Sequence, residues 1–236
     1  MPNEKNLPVR TYSAGHLFFL AKAAYERTKG GKSAQEPGKS DAIVSIIFSA
    51  SSLEAFINEL PDMAMLDAHS AWTKQPEILK SFISILNEIE DSRGSTRLKF
   101  LQAHLILSGK TYDTEKRPFQ DFSNLFKLRD AFLHLKPQNE FATTNKNEFI
   151  RVSTPKIISG LPKNILAKFD TKVTADWKSM VSTQATAKWA CDTASEMVIS
   201  ILRVIPDSFF KKTANTAYGQ AFQPVEYKGK KPDFQA

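Results

Sequence analysis

Apolar residues recur every three or four positions along most of this chain, the spacing of helices that bury one face. The first such run predicts a helix from about Ser13 to Arg27, with Leu17, Leu20, Ala21 and Ala24 turned inward. A longer run begins at Ser40 or Asp41, either of which can cap it, and stops near Leu60, where Pro61 follows. Its apolar face reads Ile43, Ile46, Ile47, Ala50, Leu53 and Ile57. Two more helices are predicted from about Glu77 to Glu90 and from Arg97 to Leu107, the latter closed by Gly109. A fifth starts near Phe119 and stops near Lys136, because Pro137 disfavours helical geometry in the residue before it.

Residues 138–175 lose the helical period. Pro155, Gly160 and Pro162, with a β-like piece from Phe149 to Val152, predict an irregular excursion rather than a second domain. A last long helix is expected from about Trp177 to Val204, using Met180, Val181, Ala187, Cys191, Ala194, Val198 and Leu202. Beyond Pro206 the lysines Lys211, Lys212, Lys228, Lys230 and Lys231 predict a basic, mobile tail. The expected organisation is an all-α up-and-down bundle over residues 1–210, with the 138–175 insertion, followed by a tail at 211–236. No internal repeat is visible.

Two positions break the apolar stripes. Around Arg129 the residues at i−7, i−4, i−3, i+3 and i+4 are Phe122, Leu125, Phe126, Phe132 and Leu133, which predicts a guanidinium in the middle of a buried face. An unpaired buried charge costs several kcal/mol, and arginine cannot escape by losing its proton. Glu54 falls among Ile43, Ile47 and Ala50 on the second helix, so a charge of opposite sign stands in another predicted stripe. Five residues after Arg129 comes His134, with Asp130 one turn before it on the same face. Arg129 and His134 lie about 140° apart on a helical wheel.

Composition narrows the chemistry. The chain has 236 residues, 42% of them hydrophobic, enough for a sizeable core. The single cysteine, Cys191, excludes an internal disulfide and any cysteine-built zinc site, and its apolar setting predicts a buried, inert thiol. The start MPNEKNLPVR lacks the apolar core of a signal peptide, and the greasiest stretch, Ala42 to Ile57, is interrupted by serines and Glu54, so a cytoplasmic protein without a membrane span is expected. The net charge of +7 suits an acidic partner such as nucleic acid. Two Gly-Lys-Ser triplets between Lys29 and Ser40 are not phosphate-binding loops, since Glu26 and Ser33 stand where the upstream glycine is required. His16, His69 and His104 have no partner in a recognisable catalytic spacing, and the 17 phenylalanines sit at core spacing. No cofactor or metal is expected.

The string Arg129-Asp130-Ala131-Phe132-Leu133-His134, an arginine, a polar residue and a histidine four residues further on, resembles the signature of the HEPN domain (higher eukaryotes and prokaryotes nucleotide-binding). The upstream segment from Phe48 to Leu60 resembles a helix that in some bacterial members turns an acidic residue toward the motif, and Glu54 fits that place. The resemblance spans roughly residues 10–204 and is strong over these two helices. It implies a helical bundle that pairs about a two-fold axis, so that two copies of the motif share one cleft. In active members it implies cleavage of RNA without metal, leaving a 2′,3′-cyclic phosphate, commonly within toxin–antitoxin or anti-phage systems. Carried onto this chain, Arg129 would clamp the phosphate, His134 would act as general acid or base, Asp130 would orient His134, and Glu54 would hold Arg129. The expected partners are RNA, a second copy of the chain and an antitoxin protein. Two other readings stay open: a HEPN-like module that binds RNA, nucleotide or protein without cutting, and a structural protein in which Arg129 and Glu54 are an ion pair between helices.

Overall fold

The computed structural model describes residues 11–30, 37–68, 76–134, 144–145, 148–149, 158, 161, 163–169 and 177–225. The fold is all-α. In chain order the helices are α1 (Ala14–Lys29), α2 (Pro37–Ala68), α3 (Pro76–Asp91), α4 (Thr96–Ser108), α5 (Phe119–Leu133), α6 (Lys163–Leu166), α7 (Trp177–Val181), α8 (Gln184–Val204) and α9 (Phe209–Ala214), with a π-helix over Asn215–Gly219. Among the described residues, one two-residue antiparallel pair, β1 (Thr144–Asn145) and β2 (Glu148–Phe149), lies between α5 and α6 in chain order. The expected β-like piece therefore reaches Phe149, and its remaining residues, 150–152, lie outside the described ones.

The axis of the bundle is α2, which packs against α1, α3, α4, α5, α8 and α9. Its buried residues include Ala42, Ile46, Ala50, Leu53, Phe56, Ile57 and Leu60 together with Ser45, Ser49 and Ser52. Ile43 and Ile47 are only partly buried, so the inner face is rotated from the predicted one toward the serines. Those small hydroxyls make room for α8: Ser45 and Ser49 sit 3.3 and 3.7 Å from the Cys191 thiol, which is fully buried as expected. The helix does not stop before Pro61 but runs through it to Ala68. Proline removes one hydrogen bond there, and burial of Met63 and Ala64 on the far side compensates. By length and composition Ser40–Met65 could cross a membrane, yet half of that stretch is packed inside this fold.

Local chemistry sets several ends. The α1 amides of Ser13 and Ala14 donate to the Glu59 carboxylate on α2, at 2.5 and 3.1 Å, so the cap comes from another helix. Ser95 caps α4 through the Leu98 amide, and Gly109 closes it with φ +68°. The expected single last helix is two: Thr183 breaks it and caps α8 by accepting from the Thr186 amide. The expected tail is a larger correction. Residues 209–225 are packed, with Phe210, Ala214, Tyr218 and Phe222 fully or almost fully buried. Phe222 stacks on Phe18 at 4.4 Å, and Ser195 on α8 donates to its carbonyl at 2.5 Å. Aromatic burial outweighs the lysines there, because Lys211 and Lys212 face outward. Residues 226–236 lie outside the described ones.

Candidate functional site

The buried face of α5 carries Asp121, Phe122, Leu125, Leu128 and Phe132. That stripe centres between Leu125 and Leu128, not on Arg129. Two residues that seemed to flank Arg129 on the inside are open: Phe126 is partly buried and Leu133 is 51% exposed. Arg129 therefore sits at the margin of the interface, with its side chain 18% exposed. Glu54 is also marginal, at 46%. Neither charge is lodged deep in hydrocarbon, which corrects the sequence expectation for both.

The guanidinium is nonetheless held in place. One terminal nitrogen, Nη2, lies 3.7 Å from Glu54 Oε2, tying α5 to α2. Its Nε lies 3.1 Å from Asp130 Oδ1, but off the N–H axis, so this is an ion pair without a hydrogen bond. The guanidinium carbon lies 4.8 Å from the centre of the Phe126 ring, one turn earlier. Three contacts thus fix an arginine that keeps access to solvent.

His134 ends the helix rather than sitting inside it. α5 stops at Leu133, and His134 is its C-cap, with φ −110° and ψ 47°. Its backbone amide still donates to the Asp130 carbonyl at 2.9 Å, but its exposed ring has no hydrogen-bond or ion-pair partner among the described residues. The expected orienting bond from Asp130 is not formed. Once His134 leaves helical geometry the one-turn register fails, and the Asp130 carboxylate turns to Arg129 instead. Arg129, Glu54 and Asp130 come together; His134 stands apart at the helix end.

A cation that the sequence reading missed lies close by. Lys99 on α4 is 4% exposed, donates to Asn58 Oδ1 of α2 at 2.6 Å and pairs closely with Glu90 of α3. Burial lowers its pKa, and the nearby Glu54 carboxylate opposes that shift. The signal was available, since Lys99 shares a stripe with Ala103 and Leu107, the same anomaly that marked Arg129. Together these residues form a rim of alternating charge across α2, α3, α4 and α5. Among the described residues, no three His, Cys, Asp or Glu side chains form a group able to hold a metal ion. Compared with known proteins, the chain matches no family model, no curated protein and no solved structure.

Proposed function

We propose that this chain is a metal-independent endoribonuclease that works as a two-fold dimer of the HEPN kind, as a toxin or anti-phage component restrained by an antitoxin protein. The observation that carries the reading is a fixed, solvent-reachable guanidinium one and a half turns before an open histidine on one helix. His134 caps the helix end and, among the described residues, its ring makes no bond to the Arg129 cluster, so one copy holds the two groups apart, whereas two facing copies would supply two of each.

The reaction needs only side chains. An imidazole takes the 2′-hydroxyl proton as O2′ bonds to phosphorus, Arg129 neutralises the charge gathering on the phosphoryl oxygens, and the second imidazole protonates the departing O5′. The products are a 2′,3′-cyclic phosphate and a free 5′-hydroxyl. Glu54 and Asp130 lock the guanidinium before substrate arrives, which saves ordering entropy in the reacting complex.

The test is incubation with structured and unstructured RNA in EDTA, with end-group analysis. Cyclic-phosphate ends are expected, and His134→Ala should cut about 10²–10⁴-fold more slowly with an unchanged circular dichroism spectrum. Uncut RNA would sink the catalytic reading. Two carboxylates beside Arg129 favour a second reading, in which the chain holds RNA through other cations without cutting. It is distinguished by salt-dependent RNA retention with no cyclic-phosphate product.

A further inference from the structure

A lysine on the buried face of α4 is costly to keep. Lys99 is 4% exposed, yet both groups that take its ammonium, Asn58 of α2 and Glu90 of α3, stand at the surface. A methionine would fill the same space without desolvating a charge, and the exposed Asn58 and Glu90 would turn to water. The fold by itself therefore gains little from a lysine here. What the ammonium adds is a tie. It pins α4 to α2 through a 2.6 Å bond to Asn58 Oδ1, and to α3 through the pair with Glu90.

Asn58 stands one turn after Glu54 on α2, about 6 Å along the axis and about 40° around it, so the two share a face. Glu54 in turn lies 3.7 Å from Arg129. Its charge reaches Lys99 as well, since it opposes the fall that burial imposes on the Lys99 pKa. The next residue, Phe100, leads to Arg129 by a second route. Its ring packs 4.9 Å from Phe122, which lies 4.8 Å from Phe126, the ring that faces the guanidinium at 4.8 Å. One dipeptide of α4 thus bears on Arg129 both through a carboxylate and through an aromatic ladder. We propose that Lys99 is a positioning residue of the Arg129 site: by holding Asn58 it fixes the rotation of α2, and with it the direction from which Glu54 meets the guanidinium. Buried as it is, Lys99 acts only through these neighbours and not on a substrate.

The consequence for cleavage rests on the nuclease reading above; the placement of Arg129 does not, so the experiment has two arms. The first needs no RNA. In nitrogen-15 spectra of the full chain, the Arg129 Nε–H signal, identified by its loss in Arg129→Lys, should be that of an ordered side chain. Lys99→Met should keep the circular dichroism spectrum while the Arg129 signal takes on the fast motion of a free arginine. Lys99→Arg, which keeps a cation, should restore the order. The second arm is RNA cleavage in EDTA. Lys99→Met should lower kcat about tenfold, within the ~10²-fold that a misplaced group can cost, and leave KM within about twofold. Lys99→Arg should recover most of the rate. If the parent cuts no RNA, the nuclease reading fails and the spectra alone decide the placement. An Arg129 signal as ordered in folded Lys99→Met as in the parent overturns the proposal, and so does cleavage unchanged by that substitution. Lys99 would then only bury its stem and lead its ammonium to the surface. Should Lys99→Met not fold, Asn58→Ala cuts the same tie from its exposed end and carries the same expectations.

Discussion

At the scale of single residues, the margin of an interface proves a different place from its centre. Arg129 and Glu54 face each other at 3.7 Å with Glu54 nearly half exposed, so water screens the pair. A double-mutant cycle of Arg129→Met and Glu54→Leu should give a coupling of only about 0.2–1 kcal/mol, the range of exposed pairs. A coupling of several kcal/mol in chemical denaturation would return the pair to the core. Glu196 offers a pH prediction. Its folded carboxyl is raised by burial and Asp192, with Asp121 adding and Arg117 and Lys188 opposing. The fold therefore favours the protonated form: stability is full below the unfolded carboxyl range and falls as pH climbs through the raised value. Glu196→Gln should melt like the parent at pH 4 and slightly higher at pH 7 to 8, by under ~2 °C given its exposure. A lower melting point at neutral pH would reverse the sign.

At the scale of elements, the helical period was legible because core burial imposes it, and the starts of α1, α3, α4 and α5 fall within a few residues of expectation. The ends were less legible. Pro61 was read as a stop because its cost is local, whereas the compensating burial of Met63 and Ala64 comes from other helices. The break at Thr183 was invisible for the same reason, since its hydroxyl donates to the Lys168 carbonyl at 2.7 Å, far away in sequence. Glycines at two helix ends separate local from tertiary demands. A Cβ at Gly109 would meet nothing within 4 Å, so Gly109→Ala should cost about 1–2 kcal/mol from its left-handed backbone alone. A Cβ at Gly94 would come within 2.5 Å of Ile89 Cγ2 and 2.9 Å of its carbonyl oxygen, so Gly94→Ala should cost about 1–3 kcal/mol by overlap. Denaturation of Gly109→Asn and Ile89→Leu/Gly94→Ala would check each cause: asparagine tolerates the left-handed region, and leucine lacks the β-branch methyl Cγ2 that the new Cβ would meet.

At the scale of the whole molecule, the segment after Pro206 decides how the core closes. Phe222 meets Phe18, Phe56 and Tyr218, with ring centres 4.4, 6.0 and 6.1 Å away, and the Tyr218 hydroxyl donates to the same Glu59 that caps α1. Phe222→Ala should therefore cost about 3–5 kcal/mol, as for other buried phenylalanines. A loss below 0.5 kcal/mol in urea titration would mean that the segment is the loose tail its lysines suggested.

The sequence by itself determined that this is an all-α chain, where most of its helices begin, and which helix carries the Arg129–His134 string. Those features rest on periodicity and on neighbours within one turn. Tertiary structure alone decided that Arg129 and Glu54 lie at a rim, that Asp130 turns to Arg129 rather than His134, that Lys99 joins their neighbourhood, and that Phe222 belongs to the core. The first and third depend on which way a helix is rotated against its partners, the second on where α5 ends, and the last on how the segment after α9 folds back. A rotation of a few tens of degrees carries a side chain from the middle of an interface to its edge without changing the apolar period at all.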